Sequence, residues 1–179
     1  ITAEQIAQVA GASEVDSAVM RPLAEGEKPR SPGMAHRHYA PNGQLTVFTG
    51  DSDRVIQRIQ SEYDCAKANG SRPLILSMEA HVASYGDRRI ESLGADETAM
   101  AHRLFALLRD ADHMEADVLF AEGVEAKGVG LAVMNRLGRA AALRMLGIME
   151  ARTGVVLHEL ATDPAFALVL GGRRRALRR

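Results

Sequence analysis

Two histidines, an arginine and a tyrosine crowd into one stretch, Ser31-Pro32-Gly33-Met34-Ala35-His36-Arg37-His38-Tyr39-Ala40-Pro41. Prolines on either side stiffen the backbone, so the segment loses less entropy when it docks. In an extended chain side chains alternate, which puts His36 and His38 on one side and Arg37 and Tyr39 on the other. The planar guanidinium of Arg37 suits phosphate oxygens. The Tyr39 phenol can donate to a phosphate or stack on a base. The plainer alternative is a surface linker whose tyrosine only anchors it to the neighbouring domain. His36-x-His38 offers two imidazoles, but no third ligand lies nearby in sequence, so the pair alone does not make a metal site.

A second cluster, Gly128-Val129-Gly130-Leu131-Ala132-Val133-Met134-Asn135-Arg136, puts glycines ahead of a helix and after an apolar strand. That arrangement is used to cradle phosphates. Here the third glycine of the dinucleotide pattern is missing and no P-loop lysine follows. Small residues that let the helix press on the sheet are the better explanation. Asp110, Asp112, Glu115 and Asp117 straddle a helix end and a strand start, as a carboxylate site or, more simply, a solvated loop. His81, His102, His113 and His158 are scattered and read as structural. Cys65 has no activating neighbour, and no nucleophile elbow or Ser-His-Asp order is present.

The elements that must position these residues follow from periodicity. Residues 2–10 form a short helix, with Thr2 and Gln5 as a capping box and Gly11 as its stop. Pro22, Pro29, Pro32 and Pro41, with Gly26 and Gly33, break any helix from Gly11 to Pro41. A structureless stretch of that length is a linker or a functional loop. Gln44–Thr49 is a strand. Asp51 or Ser52 then caps a helix with Ile56, Ile59, Tyr63 and Ala66 inward, ending at Gly70. Pro73–Met78 is a near-continuous apolar run of the kind buried in parallel sheets. One helical turn before Gly86 and a strand over Arg89–Leu93 follow. Asp96 caps a helix with Met100, Leu104, Leu107 and Leu108 inward. Asp117–Ala121 is the next strand, and a helix over Gly130–Leu146 comes after it. Gly154–Leu160 fits either a strand or a helix start. The alternation predicts an α/β fold: a three-layer, Rossmann-like sandwich with a mostly parallel sheet, preceded by an extended linker.

Composition sets the outer limits. The chain has 179 residues, 46% hydrophobic and 25% charged, enough for one well-buried domain plus an arm. A single cysteine excludes an internal disulfide framework and a multi-cysteine zinc site, and fits a cytoplasmic setting. No run of 18 apolar residues occurs, so no membrane span is expected. Aromatics are 4% with no tryptophan, which argues against a base-stacking platform. Net charge is −1, but five of the 22 basic residues and none of the 23 acidic ones lie in Gly171–Arg179. That tail is a solvated terminus or a contact for RNA. The chain opens on Ile1 without a signal segment, as would a piece of a longer protein.

The string SPGMAHRHYAP ahead of a strand resembles the interdomain linker of the two-domain threonylcarbamoyl-AMP synthases, whose lysine within that motif is Ala35 here. Gly128–Leu137 with Arg139-Ala-Ala resembles a second signature of their C-terminal domain, and Ile1-Thr2 the segment after their YrdC-like catalytic domain. The resemblance covers residues 1–142. It implies a chain made of a short helix (1–11) after the catalytic domain, an interdomain linker (12–41), a Rossmann-like accessory domain (42–150) and a C-terminal extension with a basic tail (151–179). It implies that the parent enzyme makes threonylcarbamoyl-AMP and pyrophosphate from L-threonine, bicarbonate and ATP, with magnesium accompanying the ATP, for the threonylcarbamoyladenosine modification of tRNA. The ATP and threonine pockets would lie in the absent YrdC-like domain, the partner of this chain, leaving no catalytic residue here. Tyr39, with His38 and Arg37 beside it, would reach the nucleotide as the linker closes over the active-site mouth. The competing possibility is a non-enzymatic α/β module that holds tRNA or a modification partner through the arginine tail.

Overall fold

The computed structural model describes residues 2–13, 40–141, 145–151 and 154–159. Helix α1 (Ala3–Ala10) carries the expected capping box: Thr2 Oγ1 accepts from Gln5 N, and Gln5 Oε1 accepts from Thr2 N at 2.9 Å. Gly11 closes it at φ +82°, a left-handed conformation that a side chain would disfavour.

Among the described residues six strands form one sheet: β1 (Gln44–Gly50), β2 (Pro73–Met78), β3 (Ile90–Gly94), β4 (Val118–Glu122), β5 (Met145–Ala151) and β6 (Gly154–Glu159). Their order is β3-β2-β4-β1-β5-β6. The first five are parallel, and β6 pairs antiparallel with β5. Among the described residues three longer helices cover the sheet: α2 (Ser52–Ala68), α3 (Glu97–His113) and α4 (Gly128–Ala140). Asp51 and Asp96 cap α2 and α3 through their carboxylates.

Strand alternation sorts the core into two layers. Leu45, Val47, Leu74, Leu76, Leu119 and Ala121 face α3 and α4. Phe48, Ile75 and Phe120 face α2, against Val55, Ile56, Ile59 and Tyr63. The chain runs toward the β3 edge through α2 and back toward the β5 edge through α3 and α4. The reversal of direction reverses the face that the helices cover, because crossovers keep one hand. The three-layer, mostly parallel sandwich is the fold read from the sequence.

Two local departures have physical causes. The stretch before Gly86 is a seven-residue 3-10 helix, Glu79–Tyr85, rather than one turn. The helix expected over Gly130–Leu146 is instead Gly128–Ala140, and Met145 begins a strand. Ala, Leu, Arg and Met favour helix locally, but the open edge of β1 takes up the chain, pairing Val47 with Met145 and Gly50 with Ile148. Gly154–Glu159, open between two readings, is a strand.

Candidate functional site

Strands β1 and β4 are neighbours, yet the chain leaves β1 for one face and β4 for the other. A crevice opens between the diverging loops, at the strands' C-terminal ends, where open α/β sheets bind ligands. It encloses about 540 Å³. Thr49, Gly50 and Ser52 line it from the β1 side, Glu122 to Ala126 from the β4 side, and Met78 and His81 from the β2 side.

The residue that organises the crevice is Glu122, the last of β4 and only 3% exposed. It lies on the α2 side of the sheet, level with Phe48 on β1 and next to Ser77 on β2. A carboxylate in such a layer needs donors for all its lone pairs. Four converge on it. Oε1 accepts from the Tyr85 hydroxyl at 2.6 Å and from Ser77 Oγ at 3.0 Å. Oε2 accepts from Met78 N at 3.2 Å and lies 2.7 Å from His81 Nδ1. The register of β2 against β3 shifts between Ser77 and Met78. A bulge of this kind re-aims backbone groups, and here it accompanies the turn of Met78 N toward Glu122. The 3-10 helix then presents His81 and Tyr85 to the same carboxylate.

The network fixes two side chains. Burial, reinforced by the bond to Glu122, pushes the Tyr85 phenol far above its usual pKa, so it remains a donor. With three other donors on the carboxylate, His81 Nδ1 must donate as well, which puts the neutral ring's lone pair on Nε2. His81 lines the cavity with its side chain 29% exposed.

The glycine cluster plays a packing role. A Cβ on Gly130 would lie 2.1 Å from the Glu125 carbonyl, so the loop before α4 folds tightly over that helix's first turn. The contact is with this loop rather than with the sheet. The N-terminus of α4 already meets an anion from within the chain: Gly128 N donates to Glu4 Oε1 at 3.3 Å. Glu4's own backbone, the Thr2 side chain and Gly128 together hold that carboxyl below its ordinary pKa.

The acidic group lies at the opposite, N-terminal edge of the sheet, with Asp110 and Asp112 in the last turn of α3 and Glu115 and Asp117 in the loop to β4. Asp112 Oδ1 accepts from Asn42 N at 2.7 Å, Asp117 Oδ1 from Arg72 N at 2.7 Å, and Glu115 Oε2 from Arg72 Nη1 at 2.6 Å. Among the described residues no three His, Cys, Asp or Glu side chains converge to hold a metal ion. Cys65 is exposed on α2.

The sequence-predicted site residues Arg37, His38 and Tyr39 lie outside the described residues, as does the tail Gly171–Arg179. What is described is the arm's root. Pro41 is buried, and Gly43 fits where a Cβ would lie 2.4 Å from the Ala116 carbonyl. Sequence reasoning missed the Glu122 network, which joins residues 37 to 45 positions apart. The available signal was a carboxylate closing the apolar strand VLFAE, at the end where parallel sheets carry function.

Comparison with known proteins bears on the whole. Residues 1–142 match the family described as "Threonylcarbamoyl-AMP synthase, C-terminal domain". The threonylcarbamoyl-AMP synthase of Pyrococcus abyssi (strain GE5 / Orsay) is 35% identical over 145 residues, 81% of this chain and 41% of that protein. That of Bacillus subtilis (strain 168) is 37% identical over 148 residues, 82% of this chain and 41% of that protein. The crystal structure of P. abyssi Sua5 complexed with L-threonine superposes with a TM-score of 0.74 and 34% identity, over 83% of this chain and 42% of that one. The chain thus spans about two fifths of the length of these relatives. It belongs to the family of threonylcarbamoyl-AMP synthase C-terminal domains.

Proposed function

We propose that this chain is the accessory domain and gating linker of an enzyme that makes threonylcarbamoyl-AMP from L-threonine, bicarbonate and ATP, releasing pyrophosphate, in tRNA threonylcarbamoyladenosine modification. A YrdC-like catalytic domain would hold ATP with its magnesium, and the linker of residues 12–41 would bring Arg37, His38 and Tyr39 to the nucleotide.

The observation that supports this most is how the arm is rooted. Asn42 N bonds Asp112, Gln44 N donates to the Asp117 carbonyl at 2.8 Å, and Gly43 is wedged against Ala116. A stiff, proline-flanked arm needs a fixed base to aim a side chain, and Ala40 and Pro41 join the motif directly to this one. At the arm's other end, Glu4 of α1 is tied to Gly128, at the C-terminal edge of the sheet. The described body offers no rival seat for ATP, because no lysine or arginine lines its crevice and Glu4 occupies the N-terminus of α4.

The chemistry explains why such an arm is useful. Threonine and bicarbonate give a carbamate with loss of water, and the carbamate attacks the α-phosphorus and displaces pyrophosphate. Charge grows on the phosphates, and the mixed anhydride formed is open to hydrolysis. A guanidinium and a phenol closing over the mouth add donors and keep water out.

The test is threonine- and bicarbonate-dependent pyrophosphate release by the full-length enzyme carrying this chain. Tyr39→Ala is expected to lower kcat/KM for ATP by about ten- to a hundred-fold, the scale of losing one hydrogen bond to a charged group. Unchanged rate and ATP affinity would exclude the gating role.

A further inference from the structure

Helix α1 is turned the wrong way for a helix that covers this sandwich. It has eight residues, none of them buried. Helices this short are marginal in water unless an amphipathic face is packed. At about 100° per residue, Ile6 and Val9 lie about 200° and 140° around α1 from Glu4, whereas Gln8 lies only about 40° away. The polar side meets the body, where Glu4 Oε1 accepts from Gly128 N at the start of α4. The apolar side is left facing away from the domain, the reverse of a helix that packs on its own core.

Exposure agrees with that orientation. Among the described residues the large apolar side chains left exposed are Ile6 at 48%, Val9 at 91% and Val129 at 39%. Two belong to this face of α1, and the third follows Gly128, the residue that Glu4 meets.

The size of the patch selects what covers it. Specific interfaces between separate molecules bury roughly 1,200–2,000 Å², far more than these side chains supply. A domain joined by the chain itself meets the patch at an effective concentration of roughly millimolar, so a small apolar contact suffices. The relatives matched over 41% of their length carry more protein than this chain, and the function proposed above puts a YrdC-like domain directly ahead of α1.

We propose that the Ile6–Val9 face of α1 is a docking surface for that catalytic domain, so that α1 packs on it by its apolar side and holds the start of α4 by Glu4. This rests on the synthase reading for the identity of the partner, and not on the role of Tyr39.

The test compares hydrogen exchange of the α1 amides, Ile6 to Ala10, in the 179-residue chain and in the full-length enzyme. Protection is expected to be slight in the chain, whose α1 has no apolar seat, and at least about ten-fold greater in the enzyme, the scale of burying one valine. Val9→Ala should act differently on the two. In the chain it leaves α1 protection unchanged or raises it, because alanine is the better helix former. In the enzyme it lowers protection by about five-fold, because two buried methyl groups are lost. Equal protection of α1 in chain and enzyme overturns the proposal, and so does a Val9→Ala effect that is the same in both. Protection in the chain alone that rises with its concentration assigns the face to a second copy and overturns it as well. Pyrophosphate release by the Tyr39→Ala enzyme is read separately. A failed gate with α1 protected leaves the docking intact, and a working gate with α1 unprotected removes the docking alone.

Discussion

Tyr85 and Glu122, far apart in the chain, meet as a 2.6 Å hydrogen bond in the centre of the α2 side of the sheet, the phenol wholly buried and the carboxylate nearly so. The pair makes the crevice part of the core, so its chemistry and its stability are coupled. Glu122→Ala would take the acceptor from four donors at once, of which only the Ser77 hydroxyl keeps another, the Met78 carbonyl at 2.9 Å, and is expected to cost about 3–5 kcal/mol. Glu122→Gln should cost less, about 1–2 kcal/mol. Its amide oxygen can keep Met78 N and His81, while the Ser77 and Tyr85 hydroxyls turn to accept from its NH₂. Urea unfolding of the three proteins measures the order. A Glu122→Ala protein as stable as the parent would contradict the network.

The same bond gives the alkaline limb of the stability curve a definite sign. The folded phenol's pKa is raised by burial and by Glu122. Its contribution is therefore fully present below the unfolded value of about 10 and is lost as pH rises beyond it. Above pH 10 the unfolded chain sheds a proton that the folded chain keeps, so stability should fall by about 1.4 kcal/mol per pH unit from this one group. Absorbance titration at 295 nm should show Tyr85 silent until the chain unfolds. Tyr85→Phe should flatten the limb and leave unchanged the phenol signal of the folded state.

An acid limb of opposite sense comes from the surface. Arg88 Nε and Nη2 grip Asp64 at 2.9 and 2.7 Å, tying α2 to the approach to β3. This fork, chiefly through its hydrogen bonds, holds the Asp64 carboxyl below its ordinary value of 3.8. A depressed folded pKa gives stability that is present above the unfolded value and lost as pH falls through the folded one. The aspartate is 57% exposed, so water and salt weaken the effect. Asp64→Asn should make the thermal midpoint less steeply dependent on pH below about 4, and 1 M salt should shrink the difference. Identical acid limbs for the two proteins would show that the fork contributes nothing.

Fold and site were legible to different degrees for a physical reason. The apolar runs at 44–49, 73–78 and 117–121, and the spacing of Ile56, Ile59 and Tyr63, are local consequences of burial on one or both faces, and they read directly as strands and a helix. Met145 onward did not, because only the neighbouring β1 decides between helix and strand there. The crevice was hidden for a stronger form of the same reason. Ser77, His81, Tyr85 and Glu122 gain their roles only when β2 and β4 are paired, so His81 looked like an isolated structural histidine. The SPGMAHRHYAP arm is the reverse case: its residue types stand out in the sequence, while residues 31–39 lie outside the described residues.

The glycines test how tightly the two edges of the sheet are built. At Gly130 a methyl group would come within 2.1 Å of the Glu125 carbonyl. At Gly43 it would come within 2.4 Å of the Ala116 carbonyl and 2.6 Å of Leu119 Cδ1. The closest atoms are backbone and cannot swing aside. Alanine in a helix gains up to about 1 kcal/mol over glycine, which would favour Gly130→Ala if space allowed. Overpacking costs about 1–3 kcal/mol, and a contact this short lies at the upper end, so the net sign is destabilising. Gly130→Ala should also displace Glu125 from the crevice rim. Gly43→Ala should loosen the root of the arm beside Asn42 and Asp112 while leaving the crevice intact. For a chain of this length, each kcal/mol lowers the thermal midpoint by about 2–4 °C. Gly70→Ala, where φ is +84° and no atom lies within 4 Å, is the control. It carries only the left-handed backbone penalty of about 1–2 kcal/mol and should disturb neither edge. If Gly130→Ala instead raised the midpoint, the tight fold of the 123–127 loop over α4 would be wrong.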